Sequence, residues 1–162
     1  MNYLAWNCRL GNLCTGKELN DVIQEKYPFI VFIVETWTYE ARLNLVQRNI
    51  DFDHKWVVPK EGRGGDLVHF WKSIVNLRVV DSNKYLIDAF INENSNNDWR
   101  FTGFYGDPDI ARRIDAWNEL RRLNTWPSIP WLCVGDCNKL TKPKEKLGGA
   151  PYPQIKCNCL EM

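Results

Sequence analysis

A chain of 162 residues, 44% hydrophobic and with eight tryptophans, carries enough apolar surface for one folded domain, which excludes a disordered polymer. Lys plus Arg number 21 and Asp plus Glu 20, so the net charge is +1. That balance excludes strong non-specific attraction to nucleic acid, and any such contact must come from a local patch.

The chain opens on Asn2 to Asn7, a short apolar run ending in an amide, which predicts a first strand delivering Asn7 to a sheet edge. Arg9 to Gly16 reads as a loop. Thr15 with Glu18 three residues later predicts a capping box and a helix with Leu19, Val22 and Ile23 on one face, ended by Pro28. Phe29 to Glu35 has no polar alternation and predicts a strand buried on both faces. It ends on the carboxylate of Glu35, either a capping or surface group or a ligand at the sheet's edge. Thr38 is the expected cap of a second helix reaching about Asn49, with Ala41, Leu43 and Leu45 on its apolar side.

The strand–helix rhythm then changes. His54 to Val58, Leu67 to Trp71, Leu77 to Val80, Tyr85 to Ile91 and Trp99 to Tyr105 are strand-like runs separated by turn-rich stretches, which predicts an antiparallel meander. His69 lies within one of these runs and reads as a core or face residue. Asp109 to Leu123 predicts a helix presenting Ile110, Ile114, Trp117 and Leu120. Pro127 and Pro130 break the chain before Trp131 to Asp136, which reads as a buried strand that stops at Gly135. Asp136 and Asn138, two apart, face one side in extended geometry, where an anionic acceptor and an amide can orient a water and hold a phosphate oxygen. The alternative is an Asx-type turn in which both side chains cap backbone groups. From Thr141 onward Lys142, Lys144 and Lys146 with Gly and Pro predict an exposed basic loop. No internal repeat or low-complexity segment is present.

The start Met1 to Asn7 lacks the basic and long apolar regions of a signal peptide, and Phe29 to Val34 is too short to cross a bilayer. These features predict a soluble intracellular protein, cytoplasmic or nuclear, without a membrane partner. Cys8, Cys14, Cys133, Cys137, Cys157 and Cys159 are then expected as reduced thiols. A zinc site from Cys133, Cys137, Cys157 and Cys159 is the alternative, but their spacings are not two-residue knuckles, and free thiols fit better.

Five stretches carry a resemblance: Asn2 to Arg9, Val34-Glu35-Thr36, Gly62-Arg63-Gly64-Gly65, Trp99 to Gly106, and Trp131 to Asn138. Their order and spacing resemble the endonuclease/exonuclease/phosphatase superfamily, in particular the apurinic-type endonuclease domain of plant LINE-type retrotransposon proteins. The resemblance covers residues 1–154 and leaves 155–162 as an unrelated tail. It implies a four-layer α/β sandwich with two mixed β-sheets, its second half incomplete here. It also implies roles. Asn7 lies near the metal, and Glu35 binds a divalent cation, Mg²⁺ or Mn²⁺. Tyr105 lies near the scissile phosphate, Asp136 aligns or deprotonates the attacking water, and Asn138 holds the phosphate. Hard oxygen ligands suit such a cation.

The sequence departs from the family pattern in three ways. The family's terminal Asp-His segment is absent. Cys137 and Lys139 replace an aromatic and a glutamate. Asp66 replaces a glycine. The expected function is Mg²⁺-dependent phosphodiester hydrolysis, a DNA endonuclease of retroelement origin, with DNA as partner and no protein partner identifiable. The competing expectation is an inactive truncated remnant or nucleic-acid-binding module, touching phosphates through Lys142 to Lys146 and through Arg112, Arg113, Arg121 and Arg122. A phosphatase of the same superfamily ranks last.

Overall fold

The computed structural model describes residues 1–8, 10, 13–59, 66–125 and 129–138. Eight strands form two four-stranded sheets. The first runs β1 (Tyr3–Asn7), β2 (Ile30–Val34), β4 (Leu67–Trp71), β3 (His54–Val58). The second runs β5 (Leu77–Asn83), β6 (Leu86–Ile91), β7 (Trp99–Tyr105), β8 (Trp131–Asp136). Each sheet is antiparallel apart from one parallel pair, β1 with β2 and β7 with β8.

The layers follow from strand periodicity. On β2, Val31 and Ile33 pack among Leu19, Ile23, Leu43 and Val46 of α1 (Leu13–Lys26) and α2 (Glu40–Asn49). Ile30, Phe32 and Val34 point the other way, toward the second sheet. Both faces are covered, so all five β2 residues are buried and the run needs no polar alternation. Burial of each such side chain contributes roughly 1.5–3 kcal/mol. On the far side, Phe104 of β7 packs against Ala116, Trp117 and Leu120 of α3 (Arg113–Leu123). Helices, sheet, sheet and helix make the four-layer α/β sandwich that the resemblance implies.

The five middle strands are not one meander. β3 and β4 form a hairpin in the first sheet, while β5, β6 and β7 form the meander of the second. β5 runs through Asp81-Ser82-Asn83, three residues that read as a turn by type. Several local expectations are also corrected. α1 starts at Leu13, two residues before Thr15, so Thr15 is not its cap. Tyr39, not Thr38, occupies the cap position of α2, without a side-chain bond, and the buried residues there are Leu43 and Val46. Leu45 is exposed. A 3₁₀ turn, Ile110–Arg112, precedes α3, so the helical phase changes. Ile110 and Ile114 therefore face solvent, and Ala116, Trp117, Leu120 and Leu123 are buried. β8 is half-buried rather than buried, because it is the last strand in its sheet and pairs only with β7 among the described residues.

One buried network fixes β8 to this frame. Arg100 donates to both oxygens of Asp88 and, through Nη1, to the carbonyl of Leu123 at 2.7 Å. Thr102 donates to Asp88 and accepts from Trp131 Nε1 at 2.8 Å, while the Arg100 guanidinium lies over the Trp131 ring. The charges are thus matched inside the protein, as burial requires.

The sheets meet at a close contact. A Cβ on Gly103 would sit 2.4 Å from Phe32 Cδ2 and 2.6 Å from His69 Nε2, so only glycine lets β7 approach β2 and β4. His69 is fully buried between Phe32 and Phe101, and neither ring nitrogen has a hydrogen-bond partner among the described residues. Desolvation lowers its pKa from 6.5 to about 3.

Gly103→Ala overpacks the sheet interface and lowers stability by about 1–3 kcal/mol, read as a lower denaturant midpoint. Between pH 6.5 and 3 the unfolded chain binds a proton at His69 that the folded chain refuses. Stability is therefore full above pH 6.5 and falls below it, by up to about 1.4 kcal/mol per pH unit. His69→Leu removes that slope between pH 6.5 and 5; an unchanged slope would mean that His69 is protonated in place.

Candidate active site at the strand ends

Strand parity sets where the candidate side chains go. In β7, Phe101 and Tyr105 join clusters between the sheets, as Leu132 and Val134 of β8 do, and this inward parity continues to Asp136. In β1, Leu4 and Trp6 pack on the helix side, which turns Tyr3 and Asn7 to the opposite face; Tyr3 meets Phe101 across the sheets. The two parallel pairs bring these residues level. Asn7 is in register with Val34, and Tyr105 with Asp136. Four strand C-termini, two from each sheet, therefore open on one place.

Glu35 would break this pattern if β2 simply continued. It follows Val34, which faces the second sheet, so an extended Glu35 would point to the helices. Its backbone instead adopts φ 57°, in the left-handed region. The carboxylate then meets Tyr105, whose hydroxyl donates to Glu35 Oε1 at 2.6 Å. That turn costs a non-glycine residue about 1–2 kcal/mol.

A second bond joins the sheets. Asn7 Nδ2 donates to Asp136 Oδ2 at 2.7 Å. Asp136 Oδ1 accepts from the backbone N–H of Asn138 at 2.8 Å, and Asn138, at φ 46°, donates its amide to the Gly106 carbonyl at 2.6 Å. The Asx-turn reading therefore holds at Asp136, but with one oxygen only. The other oxygen faces Asn7. Gly106 is required at this turn, since a Cβ there would meet the Cys137 carbonyl oxygen at 2.2 Å.

Burial first, then the hydrogen bond to Glu35 and the charges of Glu35 and Asp136, push the Tyr105 phenol well above its usual range. The phenol is a donor at neutral pH. Neither Glu35 nor Asp136 forms an ion pair among the described residues. Two carboxylates and two amide groups thus make an all-oxygen, anionic donor set, chemistry that suits a hard divalent cation with retained waters. No three His, Cys, Asp or Glu side chains gather as a metal cage among the described residues. Cys133 and Cys137 are exposed free thiols, whereas Cys157 and Cys159 lie outside the described residues.

All five expected site residues come together, with Asn138 adjoining Asp136. The two histidines do not reach them. His69 is locked between the sheets, and His54 stacks on Trp71 and contacts Ser73. One pair escaped attention at the sequence level. Thr36, fully buried, donates to Asp66 Oδ2 at 3.0 Å and so ties the segment after Glu35 to the start of β4. The departure from glycine at position 66 was its only signal. The arginines of the 3₁₀ turn and of α3 are engaged locally: Arg112 with Asp107 and Asp109, Arg122 with Asp81 and Glu119, Arg121 with Asn118, Arg113 with the Asp107 carbonyl. Lys142 to Lys146 lie outside the described residues. Among the described residues no helix is long and apolar enough to cross a membrane.

The left-handed turn at Glu35 has a direct test. Glu35→Ala and Glu35→Gly both remove the carboxylate, but only glycine adopts φ 57° without strain. Glu35→Gly should be about 1 kcal/mol more stable than Glu35→Ala in chemical denaturation; equal stabilities would mean that the turn relaxes freely.

Solved structures share this arrangement of strands and helices. The endonuclease domain of TRAS1, a telomere-specific non-LTR retrotransposon, matches with a TM-score of 0.62 at 14% identity, over 86% of this chain and 61% of that one. D. rerio TDP2 complexed with a single-strand DNA product gives 0.60 at 13%, over 85% and 60%. An endonuclease/exonuclease/phosphatase family protein from Bacteroides thetaiotaomicron gives 0.58 at 11%, over 85% and 62%. The chain therefore spans about three fifths of the length of each. No protein-family model matches the sequence, and no curated protein matches it. The chain shares the fold of these three proteins.

Proposed function

We propose that this chain belongs to a retroelement endonuclease domain of the plant LINE type, acting on DNA by divalent-cation-dependent phosphodiester hydrolysis. The observation that carries the reading is the meeting of Asn7, Glu35, Tyr105 and Asp136 through two hydrogen bonds across the sheets. Two structures with this fold, an endonuclease domain and a protein complexed with a single-strand DNA product, support the substrate class.

In this reading Glu35 and the amide oxygen of Asn7 hold Mg²⁺ or Mn²⁺, since the Asn7 amide nitrogen is already given to Asp136. When bound, the cation neutralises charge on the phosphoryl and leaving oxygens. Asp136, pinned by two N–H donors, aligns the attacking water rather than swinging to meet it. Asn138 donates its second amide N–H to the phosphate as negative charge develops, and Tyr105, held protonated with its one O–H on Glu35, orients that carboxylate beside it. A second reading, binding without turnover, is favoured by one observation: neither His54 nor His69 reaches the site, so no imidazole of the described residues serves as proton donor there.

Supercoiled plasmid with Mg²⁺ separates the two. Nicking by the unaltered protein that falls at least about 100-fold in Glu35→Ala and Asp136→Asn is the expected result. Plasmid bound but never nicked, with all three proteins alike, would leave the binding reading.

A further inference from the structure

The segment between β2 and α2 has features that hydrolysis of the phosphodiester does not use. Thr36 is fully buried and tied to Asp66 Oδ2, which anchors the segment at its centre. On either side of this anchor the backbone is left-handed, φ 57° at Glu35 and φ 48° at Trp37. A bulky residue with positive φ is an outlier, and it persists only where the surroundings hold it. Here two such residues flank one anchored threonine. Two large aromatic residues of this segment are accessible to solvent: Trp37 is 39% exposed and Tyr39 71% exposed. Chain geometry keeps the Cα of Trp37 within about 7 Å of that of Glu35.

We propose that Trp37 and Tyr39 form a stacking platform for an unpaired base that adjoins the cleaved phosphodiester, and that the preferred substrate is therefore DNA with an unstacked nucleotide at that position. The proposal rests on the nuclease reading and names its substrate class. Two considerations favour a base as occupant. A net charge of +1 brings little phosphate attraction, so affinity must come from elsewhere, and stacking on aromatics supplies it without sequence readout. A base in an intact duplex has both faces covered by its neighbours, whereas an unpaired base offers one to an indole. The rigid anchor matters because a preformed platform loses less entropy on binding than a mobile one.

The test is fluorescence anisotropy with labelled single-stranded and blunt duplex DNA of equal length, in Ca²⁺ to hold the substrate intact, beside the Mg²⁺ plasmid assay. The unaltered protein should bind the single strand at least 10-fold more tightly. Trp37→Ala should lose about 10-fold on the single strand and little on the duplex, corresponding to the loss of one stacked base. Trp37→Phe should restore most of that loss, and Tyr39→Ala, at a site too exposed to unfold the chain, should lose about 3-fold. Equal affinity of the unaltered protein for both DNAs, or equal losses on both in Trp37→Ala, overturns the platform. So does a Tyr39→Ala protein indistinguishable from the unaltered one. Plasmid nicking without single-strand preference removes the platform and leaves the nuclease; single-strand preference without nicking removes the nuclease and leaves the platform. Capture of another protein by these aromatics, with no DNA affinity, overturns the proposal.

Discussion

The site depends on how two parallel strand pairs end. Parallel neighbours put their carboxyl ends side by side, which antiparallel neighbours cannot do. Each sheet contains one such pair, β1–β2 and β7–β8, and Gly103 lets the sheets pack closely enough for the two pairs of ends to touch. Asn7 then reaches Asp136, and Tyr105 reaches Glu35, each bond joining one sheet to the other. A crevice beyond the carboxyl ends of strands is where α/β sheets gather ligand groups. In this chain the strand ends that meet belong to two sheets rather than to one.

The same contact sets the costs. Closeness at Gly103 leaves His69 with no room and no hydrogen-bond partner among the described residues, so the core carries a neutral imidazole with a depressed pKa. Glu35 accepts an unfavourable backbone conformation because the helix-facing alternative would leave its carboxylate among α1 and α2, where Leu19, Leu43 and Val46 are buried. Two carboxylates held near one phenol raise the free energy of that corner further. Strain and like charge concentrated at one place, while the core around it is apolar and well packed, is the pattern of a functional site rather than of a purely structural corner.

Much of this was legible in the sequence, and the misses share a cause. The β2 run was readable because burial on both faces leaves no alternation, and the boundaries of β3, β4 and β7 followed from their turn-rich flanks. The convergence of Asn7, Glu35, Tyr105, Asp136 and Asn138 came from resemblance rather than spacing. The sheet partition of the middle strands was not readable, because identical strand patterns pair wherever the tertiary contacts place them. Thr15 and Thr38 have cap chemistry, yet both helix starts lie elsewhere. The 3₁₀ turn before α3 shifted the buried face away from Ile110 and Ile114. No local pattern announces positive φ at Glu35 or Trp37, since neither residue type favours it. That conformation follows from packing alone.

The central claim, that strand ends from the two sheets are coupled through these side chains, is tested most directly by a double-mutant cycle on stability with Tyr105→Phe and Glu35→Gln. The account predicts a coupling of at least about 1 kcal/mol, because the phenol at 5% exposure has no water to replace a charged acceptor. Additivity within about 0.3 kcal/mol would mean that the two side chains do not meet, and the site as described would not exist.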